Sequence, residues 1–290
     1  MMTINRRFLA PLLATLVLLG NPCPAHAEPP SGPHPQLRHD TAADLAITGT
    51  GGLLWISSEL LKGQLGPSAC RWCDRNADGS DALNGVDAAA RNGLRWSNPS
   101  TADALSYGTG FVLAPLAAFG LDAVAAAHDG RKDGIAVDAL VILEAAVIAA
   151  DVNQIVKFSA GRERPFVHAL PPGEKAHTSQ PSDNNVSFFS GHTTLAFSLA
   201  TASGTVASMR GYRLAPLVWV VGMGFAATTG YLRIAGDKHY LTDVVTAAIV
   251  GSGIGFALPF LFHAPRTEST PVAGVTASPQ VTQVTIGGAF

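Results

Sequence analysis

Apolar residues recur at helical spacing in six stretches of the chain, 44–61, 104–127, 134–158, 193–209, 214–234 and 241–262. None of the six alternates apolar and polar residues over a useful length, so each predicts a helix rather than a strand. Between the first two, residues 62–99 are rich in Gly, Asp, Asn and Arg, which predicts a long ordered loop with a short helix at 86–94. A second long loop, 161–187, holds four prolines. The final stretch, 265–290, mixes Thr, Val, Gly and Pro without helical period and is expected to be flexible, or at most one docked strand. The pattern therefore predicts an all-α protein, a bundle of six helices over 44–263, with 28–43 as a linker and 264–290 as a flexible tail.

The first residues read as a processing signal. Arg6 and Arg7 precede an apolar run from Phe8 to Gly20, and Ala25-His26-Ala27 closes the segment, so 1–27 has the layout of a secretory signal peptide. Cleavage after Ala27 removes Cys23 and leaves Cys70 and Cys73 in an oxidising compartment, where a disulfide is the expected state. The C-x-x-C spacing is shared with redox and zinc motifs, but no second ligand pair of matching spacing follows.

Composition narrows the class. Only 14% of the 290 residues are charged against 47% hydrophobic, and the formal charge is −2, so no basic field attracts a nucleic acid. Any phosphate affinity has to come from local clusters. Asp74, Asn76, Asp78 and Gly79 copy the opening of a calcium loop, yet the twelfth position is Gly85 instead of a glutamate, and a solvated turn is the better reading.

Three clusters carry chemistry. Lys157 and Arg164-Pro165 lie where the third helix gives way to the proline-rich loop. Ser190, Gly191 and His192 stand at the start of the fourth helix, where unpaired N–H groups attract an anion. Arg233, His239 and Asp243 span the turn into the sixth helix, with the spacing of four placing His239 and Asp243 on one helical face. An up-and-down bundle brings all three to one end. Lys157, Arg164 and Arg233 with the Ser190 and Gly191 amides then bind phosphoryl oxygens, while His239, oriented by Asp243, attacks phosphorus and His192 protonates the leaving group.

Lys157-x6-Arg164-Pro165, Ser190-Gly191-His192 and Arg233-x5-His239-x3-Asp243 together resemble the three-part signature of the type 2 phosphatidic acid phosphatase and vanadium haloperoxidase superfamily. The resemblance implies an all-helical bundle and a phosphohydrolase needing no metal or other cofactor, with a phosphohistidine on His239. Two positions depart from the family pattern, Phe189 where Pro is usual and Leu232 where Ser is usual. Neither removes a reacting group. His168 and His177, in the loop beside the site, read as solvated.

The expected substrate is a lipid phosphate or isoprenyl diphosphate, and the expected location is the cell envelope with the site on the periplasmic side of the inner membrane. Leaving the Gly-rich first segment out of the bilayer gives five spans and puts Arg131, Lys132, Arg210 and Arg213 inside. Asp138, Glu144 and Asp151 in the third helix favour the rival, a soluble periplasmic phosphatase. A vanadium haloperoxidase, and a serine esterase built on Ser190, His239 and Asp243, are further alternatives. The esterase lacks a Gly-x-Ser-x-Gly elbow.

Overall fold

The computed structural model describes residues 35–265, 272–278 and 281–287. The expected signal peptide, 1–27, lies outside the described residues. In chain order the helices are α1 (Thr41–Leu60), α2 (Lys62–Leu65), α3 (Gly85–Leu94), α4 (Pro99–Gly108), α5 (Ala114–His128), α6 (Ile135–Ala160), α7 (Pro165–His168), α8 (Gly191–Arg210), α9 (Ala215–Ala235) and α10 (Leu241–Phe262). The π-helical turn Thr109–Leu113 joins α4 and α5 into one rod. Each predicted apolar segment is thus a long rod, and the short α2, α3 and α7 lie in the connecting loops. Past α10, Val272–Ser278 and Val281–Gly287 pair as an antiparallel hairpin, more order than the expected flexible tail. Their β-branched residues explain the difference, since Val, Thr and Ile suit extended backbone.

α8 is the axle. Fifteen of its twenty residues are buried, because a run of Ala, Ser, Thr and Gly lets neighbouring backbones approach on all sides. A Cβ on Gly251 of α10 would lie 2.5 Å from the Thr194 carbonyl oxygen, so this helix pair packs only with glycine there. The main core joins Val141, Ile142, Leu195, Leu199, Val206 and Leu258 from α6, α8 and α10. Leu37 belongs to the same core, and Arg38 N–H donates to the His263 carbonyl oxygen, so the described end of the expected linker is docked.

The outward faces are apolar. Leu53, Leu54, Leu116, Val220, Ile249 and Phe262 are all well over half exposed. Such a surface is costly in water and ordinary against lipid. The rods Pro99–His128, Ala215–Ala235 and Leu241–Phe262 are long and apolar enough to cross a membrane, three helices where the sequence suggested five spans. α6 carries acids, but they face inward: Asp138 pairs with Arg210 at 2.6 Å and accepts from the Tyr212 hydroxyl at 2.6 Å. Arg131 and Arg210 are consequently buried, so of the four cations expected inside only Lys132 and Arg213 are exposed.

Candidate active site

The rods alternate in direction, so the end of α6, the start of α8 and the turn between α9 and α10 meet at one end of the bundle. There a pocket is lined by Lys157, Arg164, Gly191, His192, Arg233 and His239, together with Trp55, Glu59, Lys62, Tyr107, Phe111, Asn153 and Asp183. Six of the eight residues expected from the sequence therefore share one cavity. Ser190 and Asp243 do not line it.

Ser190 is wholly buried behind the cavity. Its N–H donates to the Asp243 carbonyl oxygen at 3.3 Å, and its hydroxyl oxygen accepts from Thr193 Oγ1 at 2.9 Å. The Ser190 amide expected to meet phosphate is thus committed to Asp243, while Gly191, His192 and Thr193 in the first turn of α8 have no carbonyl four residues back in the helix. The esterase arrangement is not assembled, since Ser190 does not face the pocket. Gly191 is needed for a separate reason: a Cβ there would sit 2.8 Å from Lys157 Nζ and 3.0 Å from Asn153 Oδ1.

The cations are buried. Arg233 donates through Nη1 to Asp103 and, at 2.8 Å, to Ser106 Oγ, while its Nε has no partner. Arg164 Nη2 is 3.4 Å from Asp183, and its Nε is likewise unpartnered. Lys157 has no carboxylate within 4 Å among the described residues. Burial, and then the nearby Arg164, push its ammonium down to about 8. Asp183, although partly buried, is pulled down to about 2 by Arg164 and by Lys62, whose Nζ is 2.6 Å away.

In both histidines the protonated form is disfavoured. Burial holds His192 well below the ordinary range, with Arg233 adding repulsion, and burial with Arg164 does the same to His239. His192 is clasped edge-on by Tyr107 and Phe111, at ring separations of 4.5 and 4.7 Å, and its Nε2 is buried without a partner. The π-helical turn is what brings Phe111 to that ring, and Gly110 within it packs against His192.

His239 departs from expectation in its support. It precedes α10 by two residues, so it shares no helical face with Asp243. Its Nδ1 lies 2.8 Å from the Ser187 carbonyl oxygen, and Asp243 Oδ2 is 3.6 Å away. A donor on Nδ1 leaves the lone pair on Nε2. Asp243 instead accepts from Ser187 Oγ at 2.6 Å, from Arg162 Nη1 at 2.7 Å and from the Tyr240 N–H at 3.0 Å.

Arg162 is the residue that pattern reading missed. It is fully buried, stacks on Trp72 and Tyr240 with centroids 4.2 and 4.1 Å away, and bonds Asp74, Asp87, Thr242 and Asp243. The loop 62–98 thereby closes over the third cluster. Asp74 is committed to Arg162 and the Trp72 indole N–H, and Asp78 to Ser80, so the calcium-like stretch is a self-capped turn. Cys70 and Cys73 are joined by a disulfide in the same loop. α3 adds a second clamp: Arg91 grips Asp237 at 2.6 and 2.7 Å, fixing a residue with φ of 56° in the turn that carries His239. His168 is buried between Asp81 and Glu163, away from the pocket, and not solvated as expected, whereas His177 is exposed.

No curated protein and no solved structure matches the chain significantly. Residues 138–266 match the family model described as PAP2 superfamily, the stretch that carries all three clusters. By that match residues 138–266 are a PAP2 superfamily region, and its Lys157, Arg164, Gly191, His192, Arg233 and His239 gather in one pocket.

Proposed function

We propose that the protein is a phosphohydrolase that removes the terminal phosphate from a lipid phosphate or isoprenyl diphosphate through a phosphohistidine on His239. The observation that carries this reading is the convergence of three buried cations on two histidines. Lys157, Arg164 and Arg233 would hold the three peripheral phosphoryl oxygens, joined by the free N–H groups of α8. Their charge does what a metal ion does in other phosphatases. His239 Nε2 attacks phosphorus as the bond to the leaving oxygen breaks, and that oxygen takes a proton from His192. His192 acquires this proton as the bound phosphate anion offsets the repulsion of Arg233. Water then attacks the phosphohistidine, His192 takes its proton, and inorganic phosphate leaves with His239 restored.

A lipid substrate is supported by the mouth of the pocket. Tyr107 and Phe111 are half exposed, and from Phe111 an apolar groove runs along Val112, Leu116, Phe119 and Ile135. A hydrocarbon tail fits such a lining, and the exposed apolar rods suit the same bilayer. The Cys70–Cys73 disulfide lies at the pocket's end of the bundle, which supports placing that end on the oxidising, periplasmic side of the inner membrane. Release of inorganic phosphate across a panel of lipid and soluble phosphates, with EDTA present, tests the reading. Turnover of the lipid phosphates is expected. Equal or better turnover of short soluble esters would remove the lipid assignment.

A further inference from the structure

At the far end of the bundle, three residues from distant parts of the chain meet in the interior. Asp44 stands in the first turn of α1, Glu144 in the first half of α6, and His263 just past α10. They are 7%, 4% and 3% exposed, and one ligating atom from each lies within 4.8 Å of the others. Glu144 Oε2 and His263 Nε2 have no hydrogen-bond partner, and neither does the buried hydroxyl of Thr48, one turn along α1 from Asp44.

We infer that Asp44, Glu144 and His263 form a binding site for a first-row divalent cation, Zn²⁺ foremost. The Glu144 Oε2 to His263 Nε2 separation, 3.5 Å, is long for a hydrogen bond but close to the roughly 3.3 Å between two ligands of one tetrahedral zinc. His263 Nδ1 lies 2.9 Å from the Arg38 carbonyl oxygen, so the proton sits on Nδ1 and the Nε2 lone pair is free, the way a metal-binding imidazole is oriented. Asp44 is oriented as well, its Oδ2 accepting from the Asp40 N–H at 3.1 Å. Arg38 makes no ion pair with either carboxylate; its guanidinium donates to the Ala264 and Leu261 carbonyl oxygens. Two buried carboxylates without a cation are expensive. One imidazole and two carboxylates suit zinc, with water or Thr48 as a fourth ligand.

Thirteen residues of α6 separate Glu144 from Lys157, about 20 Å, so this cation takes no part in phosphate chemistry. Its effect is to tie α1, α6 and the end of α10 together. The site stands whether or not the proposed phosphatase reading does.

The test uses the full chain in detergent, stripped with a chelator and titrated with Zn²⁺ and with Co²⁺. One equivalent of each is expected to bind, with a visible Co²⁺ band and a higher Tm for the zinc form. Glu144→Gln and His263→Gln are each expected to weaken binding at least tenfold and to abolish the band, with phosphate release unchanged. The rival is a protonated His263 paired with the two carboxylates. Absence of stoichiometric Zn²⁺ and Co²⁺ binding by the unmutated chain would overturn the proposal, as would binding that survives in either variant.

Discussion

The Ser187 carbonyl oxygen, 2.8 Å from Nδ1, fixes the tautomer of His239, a task the sequence assigned to Asp243. A peptide carbonyl cannot be titrated or mutated away, so Asp243→Asn should leave the nucleophile's lone pair in place. Turnover is expected to fall by less than about 100-fold, well short of the roughly 10⁴-fold loss seen when an orienting aspartate of a catalytic triad becomes asparagine. Because Asp243 faces Arg162, Ser187 and Tyr240, the larger effect should be a lower Tm. A 10⁴-fold loss of kcat in a variant of unchanged Tm would return the orienting role to Asp243.

His239→Ala is expected to lower turnover by at least about 10³-fold with helical circular dichroism retained, since removal of a nucleophile costs more than that in enzymes with covalent intermediates. Residual activity within tenfold of the parent would take His239 out of the nucleophile role. Trapping of a radiolabelled, acid-labile phosphoenzyme in the parent and its loss in the variant checks the same point directly.

In the proposed mechanism His192 donates a proton that a poor leaving group needs and a nitrophenolate does not. His192→Ala should therefore lose much more kcat on a lipid phosphate than on p-nitrophenyl phosphate, provided hydrolysis of the phosphohistidine limits neither. Similar losses on both, or a change confined to KM, would assign His192 to binding alone.

If Lys157 binds the substrate phosphate as proposed, affinity depends on pH. Its ammonium, pushed down to about 8, is charged below that value and loses its proton as pH rises through it. KM is therefore expected to be flat on the acid side and to climb above about pH 8, by up to tenfold per unit. Lys157→Arg keeps its charge throughout. The alkaline climb should vanish in that variant even if its KM is higher overall, and an unchanged climb would point to another group.

Arg162→Met leaves Asp74, Asp87 and Asp243 buried without their common cation. Breaking a buried pair by removing one partner costs about 3–5 kcal/mol, and here three carboxylates lose theirs. Thermal unfolding should shift accordingly, with Asp87→Asn giving a smaller drop in the same direction. A Tm within a degree or two of the parent would show that Arg162 is dispensable.

The long rods and the paired clusters were legible because both leave marks of fixed spacing: helical periodicity for α6, α9 and α10, and short motifs for Lys157, Arg164, His192 and Arg233. α8 was legible only as apolar, since a helix buried on every side has no polar stripe to reveal which face matters. Arg162 left no mark, as its partners Asp74, Asp87 and Asp243 are scattered over three segments and only the fold unites them. The Gly161-Arg162-Glu163-Arg164 run, charged in an otherwise charge-poor chain, was the one available hint. The near-contact of His239 and Asp243 was readable from spacing, but the competing Ser187 carbonyl was not, because backbone acceptors carry no sequence signal.

The clamp that Arg162 makes with the first long loop bears on where this chain could be cut. The family match begins at residue 138, yet Asp74, Asp87 and Trp72 around Arg162, Arg91 on the His239 turn, Asp103 on Arg233, and Tyr107 and Phe111 on His192 all come earlier. A fragment limited to the matched stretch would keep Lys157, Arg164, His192, Arg233 and His239 but lose Asp74, Asp87, Arg91, Asp103, Tyr107 and Phe111, which hold them or their neighbours in place. Modularity at this site is a property of the family match, and the smallest unit that keeps these contacts reaches back at least to Trp72.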